Sequence, residues 1–162
     1  MSNTKAREIT IEGAVLLPGG FRNFSGRETM YNRAGARNFN VVIHPDQVEQ
    51  MIADGWNVKF LEPRDEGESP TFYLPVAVGY NGARPPRIVM LTSSGRRTLN
   101  ESTVEVLDWA NITTVDLTIR QSAWASGGKS GFKAYLQALY ANIEEDYLDR
   151  KYATYDPDPN DH

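Results

Sequence analysis

Residues 21–39 read FRNFSGRETMYNRAGARNF, and they follow the first predicted strand and run into the second. The stretch holds four arginines, three phenylalanines, one tyrosine and three asparagines, interleaved with two glycines. It has no period of 2 or 3.6 residues, so it favours neither a strand nor a helix. Its one acidic residue, Glu28, leaves a local charge of +3 (four Arg minus one Glu) in a chain of net charge −4. An extended, basic loop is predicted here.

The side chains of this loop suggest a nucleic-acid ligand. Cations follow a phosphate backbone, and aromatic faces accept stacked bases. Glycine also lets a backbone approach a ligand closely. The alternative is an ordered loop held by its own aromatic rings, with the arginines in solvent. On these residues alone both interpretations stay open.

Short strands are predicted on both sides of the loop. Alternating apolar residues and turn signals place them at 8–17, 38–43, 56–61, 71–80, 87–92 and 112–119. Pro45 in a first turn and Gly55 after the last predict a helix over 45–54. Asn81-Gly82 predicts a hairpin, residues 93–98 a basic turn, and residues 101–108 are compatible with a short helix.

Residues 129–146 fit two periods equally well. Phe132, Leu136, Leu139, Tyr140 and Ile143 match a helix, whereas alternate residues from Phe132 to Tyr140 match a strand. The count is then six or seven short strands with one or two small helices and no βαβ alternation. This pattern indicates a small closed or partly open barrel or a sandwich. A partly open five-stranded barrel of the OB type has a face and loops suited to oligonucleotides.

Composition narrows the classes of function. The 162 residues predict one domain over 1–150 and an acidic, disordered tail over 151–162, since seven acidic and two basic residues lie in 144–162. There is no cysteine, and the two histidines are His44 and His162, so no metal or other cofactor is predicted. No apolar run is long enough for a membrane span, and the polar N-terminus lacks a secretion signal. A cytoplasmic protein is expected.

An enzyme is the weaker interpretation. Residues 123–130, AWASGGKS, match a relaxed phosphate-loop pattern, but only 32 residues follow Ser130 (162 − 130) and no βαβ unit precedes it. A Gly-Gly hairpin turn is favoured. Glu144, Glu145 and Asp146 are consecutive, so in a strand their carboxylates cannot converge on a metal. A non-catalytic protein is therefore predicted.

The order of motifs resembles that of the single-stranded DNA-binding proteins of tailed bacteriophages, which have an OB-like fold. The matching motifs are RNFSG at 22–26, YNR at 31–33, RNF at 37–39, DGWNVK at 54–59, PRDE at 63–66, LD at 107–108, GFKAYL at 131–136 and IEED at 143–146. They span about residues 9–153, and the first block is the most specific. The resemblance implies a strand, not a helix, over the last segment.

These observations predict a sequence-tolerant single-stranded DNA-binding protein of phage DNA replication or recombination, acting in the bacterial host cytoplasm. The expected phosphate ligands are Arg22, Arg27, Arg33, Arg37 and Arg87, with Lys59 and Lys129 completing the basic surface. The expected stacking rings are Phe24, Tyr31, Trp56, Tyr73 and Trp124. The acidic tail of such a protein is expected to contact replication or recombination proteins. The rival is a protein–protein interaction module that binds a host or replisome protein through its acidic tail. A homo-oligomer is compatible with either.

Overall fold

The structure is a computed structural model that describes residues 7–30, 32–63, 65–82 and 84–144. Within these ranges the chain is mainly β, as predicted. The strands are β1 (Glu8–Ala14), β2 (Arg22–Asn23), β3 (Arg37–Ile43), β4 (Lys59–Leu61), β5 (Thr71–Val78), β6 (Arg87–Thr92), β7 (Gly95–Leu99), β8 (Ile112–Ser126) and β9 (Lys129–Ile143). Helix α1 spans Pro45–Ala53, and a 3₁₀ helix spans Val104–Asp108.

All nine strands belong to one mixed, open sheet. The main order is β1-β8-β9-β5-β3-β2, with β4 on β5, β6 on β9 and β7 on β6. Two backbone hydrogen bonds, Leu17 N to Asn40 O at 3.0 Å and Val42 N to Val15 O at 2.8 Å, bring the segment after β1 to the edge of β3. The sheet thus curves towards itself without closing, which is consistent with the predicted partly open, OB-like architecture. The described residues form nine strands, more than the six or seven counted from the sequence and the five of the predicted barrel.

The core lies inside this curved sheet because alternate residues of each strand face inward. On β3 these residues are Phe39, Val41 and Ile43, all at most 2% exposed. The other large and fully buried apolar side chains are Phe24, Leu74, Val76, Ile88, Leu107, Leu117, Ile119 and Leu139. Helix α1 adds Val48 and Met51. Each such side chain contributes roughly 1.5–3 kcal/mol of burial free energy.

Strands β8 and β9 form a long antiparallel hairpin. Each has 15 residues, and they are joined by Gly127 and Gly128, whose φ angles are +59° and +80°. Positive φ at both turn residues is the geometry that keeps the twist of a two-residue hairpin, and glycine adopts it freely. The predicted Gly-Gly hairpin turn is therefore confirmed, and the alternative, a phosphate-binding loop followed by a helix, is not formed. Residues 129–143 are a strand.

Two predicted connections are wrong. Asn81-Gly82 does not close a hairpin, because β5 and β6 both pair with β9 in parallel and residues 79–86 only join them. Residues 95–99 form strand β7 rather than a turn, since β7 pairs with β6 from Gly95 to Leu99. Arg96 and Arg97 consequently lie on an exposed edge strand.

Some predictions fall on residues that the structure does not describe. Tyr31 and the acidic tail over 151–162 lie outside the described ranges. Among the described residues, no helix is both long and apolar enough to cross a membrane.

Candidate nucleic-acid interface

Asparagine side chains hydrogen-bond the backbone of the basic loop, which the structure describes over residues 21–30 and 32–39. The buried Asn23 accepts hydrogen bonds at Oδ1 from the backbone N–H groups of Gly26 (2.9 Å) and Arg27 (3.2 Å). Asn32 donates from Nδ2 to the carbonyl oxygen of Ala36 at 2.7 Å. Gly26 has a φ of +75°, and a Cβ there would stand 3.2 Å from the Cα of Gly35. These contacts connect the described residues of the loop to one another.

Phe24 and Arg27 are used inside the protein. The Phe24 ring is 0% exposed and stacks on Phe39, with centroids 5.1 Å apart. Arg27 Nη1 donates to Asp108 Oδ2 at 2.9 Å, and the same carboxylate accepts the Phe24 backbone N–H at 2.5 Å. The Asp108 side chain is only 2% exposed. The predicted stacking role of Phe24 is thus wrong, because no base can reach its ring.

Arg37 and Arg22 also have internal partners. Arg37 Nε donates to the Phe24 carbonyl oxygen at 2.9 Å, its guanidinium carbon lies 5.0 Å from the Tyr80 ring centroid, and Nη1 is 3.6 Å from Glu101 Oε2. Burial raises the pKa of Tyr80, so the phenol under Arg37 stays neutral at physiological pH. Arg22 Nη2 donates to the Ala110 carbonyl oxygen at 3.2 Å. These arginines connect the loop to the body of the protein.

Three further residues of the predicted binding site lie in different parts of the fold. Trp56 is 4% exposed and belongs to the core, so its predicted stacking role is wrong as well. Arg87 is exposed at the start of β6, and Lys129 is exposed beside the turn of the β8–β9 hairpin. Neither Arg87 nor Lys129 lines the groove described below, so their predicted phosphate contacts stay predictions.

A second group of basic and aromatic side chains lies on the outer face of the sheet. On the β8–β9 hairpin the register pairs are Trp124–Gly131, Ser122–Lys133 and Arg120–Tyr135. Because alternate residues of a strand point to one face, these side chains share a face. Trp124 is 45% exposed and packs on Gly131, where a Cβ would come within 3.2 Å of the indole ring.

The same face continues onto strands β5 and β4. Tyr135 of β9 is the register partner of Ala77 on β5. Tyr73 lies four residues before Ala77, on the same face, and it is opposite Lys59 of β4. Lys59 and Lys133 are both exposed. Residues far apart in the sequence are thus brought to one surface by strand pairing.

This face forms a groove of about 520 Å³, called the sheet groove below. Its basic lining residues are Arg33, Arg37, Lys59 and Lys133, and its aromatic ones on this face are Trp124 and Tyr135. Phe132 also lines the groove, but its position in β9 alternates with that of Lys133 and Tyr135. None of the described residues that line it is acidic. Lys133 Nζ lies 5.6 Å from the centroid of the Tyr135 ring, which is a cation–π distance. The groove therefore offers positive charge and flat apolar surfaces together.

Part of the predicted site comes together here. Arg33, Arg37, Lys59 and Trp124 line the sheet groove, and Tyr73 is adjacent to Lys59. Tyr135 and Phe132 were not among the predicted site residues, and neither was Lys133. The signal for Lys133 and Tyr135 is the two-residue alternation of residues 129–143, which becomes readable only once that segment is known to be a strand. Phe132 is out of phase with them and alternates with Ala134 and Leu136.

Three solved structures that are similar to this chain are of bacteriophage proteins. The single-stranded DNA-binding protein from bacteriophage Enc34 with a C-terminal truncation is 9% identical, with a TM-score of 0.49 over 86% of this chain and 87% of that chain. The single-stranded DNA-binding protein from bacteriophage Enc34 in complex with ssDNA is 7% identical, with a TM-score of 0.47 over 86% of this chain and 88% of that chain. The bacteriophage T7 single-stranded DNA-binding protein gp2.5 is 10% identical, with a TM-score of 0.41 over 88% of this chain and 96% of that chain. No curated protein matches the sequence.

Each of these TM-scores is below 0.5, so the assignment depends on the family match. The family model described as "Putative phage ssDNA-binding domain" matches residues 1–161, nearly the whole chain. This match confirms the predicted family and the predicted binding of single-stranded DNA, and a family of DNA-binding domains agrees with a non-enzymatic protein. The chain therefore belongs to the family of phage single-stranded DNA-binding domains.

Proposed function

We propose that the sheet groove is the surface on which this chain holds single-stranded DNA, with little dependence on base sequence. One observation carries the proposal. Strand pairing puts Lys59, Lys133, Tyr135 and Trp124 on a single open face, and no described residue lining that groove is acidic.

The cations of the groove would neutralise the phosphates of the strand. Arg33, Lys59 and Lys133 are exposed and lie at different positions around the groove. Each phosphate contact releases condensed counterions, so binding is favourable at low salt and weakens as the salt concentration rises. Arg37 adds positive potential but keeps its bonds to the loop.

The rings of the groove would accept bases. Trp124 is 45% exposed and Tyr135 is half-buried, and both line the groove with the cations. Every base has a π face, so stacking on such rings holds a strand without reading its sequence. In a duplex these faces are covered by neighbouring base pairs. A groove that binds through ring faces therefore favours unpaired strands.

The described helices do not support recognition of double-stranded DNA. A protein that reads the major groove commonly inserts a basic recognition helix. Helix α1 reads PDQVEQMIA, and it contains Asp46 and Glu49 but no basic residue. Its buried residues, Val48 and Met51, face the core.

The wider role that we propose is phage DNA replication or recombination inside the bacterial host. The family match supports DNA binding, and the acidic composition of residues 144–162 supports a segment that recruits replication or recombination proteins. Removing residues 152–162 should then abolish capture of such a partner while leaving DNA binding by the body intact. Self-association is tested by sedimentation of the same full-length protein.

Fluorescence anisotropy with a labelled oligo(dT) and a labelled duplex of equal length tests the proposal. We expect tight binding to the single strand, weak binding to the duplex, and a log–log salt slope of about −0.7 for each neutralised phosphate. Equal affinity for both DNA forms, or affinity that does not change with salt, would contradict it.

A further inference from the structure

A second cavity lies next to the sheet groove, on the other side of Tyr135. It measures about 470 Å³, and Gly79 and Tyr135 line both it and the sheet groove. Its remaining lining residues are Gly82, Arg84, Arg120, Gln121, Ser122, Ala123, Leu136 and Gln137. We call it the second cavity.

The second cavity repeats the chemistry of the sheet groove. Arg84 and Arg120 are both exposed, and none of its described lining residues is acidic. The amide of Gln121 is already used, since it accepts from Arg7 N at 3.0 Å and donates to the Asp54 carbonyl oxygen at 2.9 Å. Gln121 is therefore part of the wall, and the two arginines supply the charge.

Tyr135 is the common wall of the two cavities. On the side of the sheet groove, Lys133 Nζ lies 5.6 Å from its ring centroid. Across the hairpin, its register partner on β8 is Arg120. Gly79 lies beside the ring, since a Cβ there would be 3.5 Å from it, and Gly79 lines both cavities as well. Positive charge is thus available on both sides of one aromatic ring.

The basic surface ends at the outer strand of the sheet. Arg120 is paired on its other side with Glu8 of β1, which is exposed. A polyanion that crosses Tyr135 therefore meets Arg84 and Arg120 and then a carboxylate. This limit gives the surface a defined length across β5, β9 and β8, which are spaced about 4.8 Å apart.

We infer that the second cavity is a further subsite for the same single strand, whose phosphates are neutralised there by Arg84 and Arg120. This inference rests on the proposed role of the sheet groove. The DNA strand runs across the β-strands β5, β9 and β8 and passes over Tyr135. Because the two subsites share a wall, occupying one raises the effective concentration of the strand at the other.

The two-subsite arrangement makes the effect of a substitution depend on the length of the DNA. A strand long enough to fill both cavities loses the contribution of Arg84 and Arg120 when they are removed. A strand that fills one cavity still has the sheet groove available. Removing the second subsite then halves the number of places where the short DNA can bind, but its affinity for the sheet groove stays the same.

The test uses full-length Arg84→Ala/Arg120→Ala and oligo(dT) of about 4 and about 12 nucleotides, which lie at the lower end and towards the upper end of the site sizes of OB folds. At 0.1 M salt we expect about a 25-fold loss of affinity for the longer DNA, since two phosphate contacts contribute about 0.7 log unit each. For the shorter DNA we expect at most about a twofold loss. Circular dichroism and thermal melting verify that the variant is folded.

Arg96→Ala/Arg97→Ala is the matched control, because both arginines are exposed on β7 and line neither cavity. We expect it to bind both lengths like the unsubstituted protein. An equal loss for both lengths in Arg84→Ala/Arg120→Ala, or no loss for the longer one, would overturn the second subsite while the sheet groove stands. If the unsubstituted protein bound neither length, the proposed function itself would be overturned.

Discussion

The basic loop of residues 21–39 and the sheet groove contain the same kinds of residue but use them differently. In the loop, Phe24 is stacked on Phe39 and Arg27 is bonded to Asp108. In the groove, Lys59 and Lys133 are exposed, and Trp124 is 45% exposed beside them. The loop is a structural element that forms one wall, and the groove is the surface available to a ligand.

This difference shows that the richest cluster of arginines and aromatics in a sequence need not be its binding site. A guanidinium that already donates to a buried carboxylate has less capacity left for a phosphate. A ring with no exposed surface cannot stack on a base. What separates the two regions is whether internal partners exist, and those partners come from distant parts of the chain: Asp108 follows Arg27 by 81 residues.

The largest expected effect lies in the loop and concerns stability. Phe24→Ala should lower the free energy of unfolding by about 3–5 kcal/mol, because it removes a fully buried ring from the core. Urea denaturation measures this change. In the fraction that remains folded, the affinity for oligo(dT) should stay unchanged. A stable variant with weakened DNA binding would return Phe24 to the interface and remove the contrast between the two regions.

The next effect lies in the groove and concerns affinity. Tyr135→Ala should weaken binding of oligo(dT) by about 1–3 kcal/mol, because stacking on one ring is lost. Tyr140→Ala is a matched control on the same strand, since Tyr140 is also half-buried but lies beside Glu12 and Asp116 in a different cavity. Anisotropy titrations compare the two variants. Equal losses would mean that general disturbance of β9, and not stacking, explains the result.

Replacing the two groove lysines sharpens the electrostatic part of the comparison. Lys59→Ala/Lys133→Ala should reduce the magnitude of the log–log salt slope by about 1.4 and the affinity at 0.1 M salt by about 25-fold, since two phosphate contacts are lost. Arg96→Ala/Arg97→Ala removes the same charge from an edge strand outside the groove. A similar loss in that variant would indicate that only net charge matters.

The smallest effect is expected for the loop arginine that binds Asp108. Arg27→Gln should leave the salt slope unchanged and alter affinity by less than about twofold, because its charge is already paired. Stability should fall by about 1 kcal/mol, as for a half-exposed ion pair. If instead the slope fell by about 0.7, Arg27 would be a phosphate ligand and the loop would belong to the interface.

Local sequence patterns predicted much of the fold. Alternation located β3, β5 and β6 to within two residues, and Pro45 with Gly55 marked the ends of α1. Gly127 and Gly128 also predicted the turn of the last hairpin. Errors arose where pairing is long-range. Asn81-Gly82 has the signature of a hairpin, but β5 and β6 each pair with β9, more than 45 residues later.

The candidate site was only partly predictable for the same reason. Lys59 and Trp124 were identified as basic and aromatic surface residues, but strand register brings them to the face of Tyr135. The two periods of residues 129–146 concealed the alternation of Lys133 and Tyr135. Burial of Phe24 and Trp56 depends on packing against other strands, which local periodicity does not report.

Tryptophan fluorescence tests the central claim most directly, because the three tryptophans occupy three environments. Trp56 is 4% exposed in the core, Trp109 is 72% exposed after the 3₁₀ helix and outside the groove, and Trp124 lies in the groove. Titrating Trp109→Phe and Trp124→Phe with oligo(dT) should show quenching that persists in Trp109→Phe and is largely lost in Trp124→Phe. Quenching that disappears with Trp109 and persists without Trp124 would contradict DNA binding in the sheet groove.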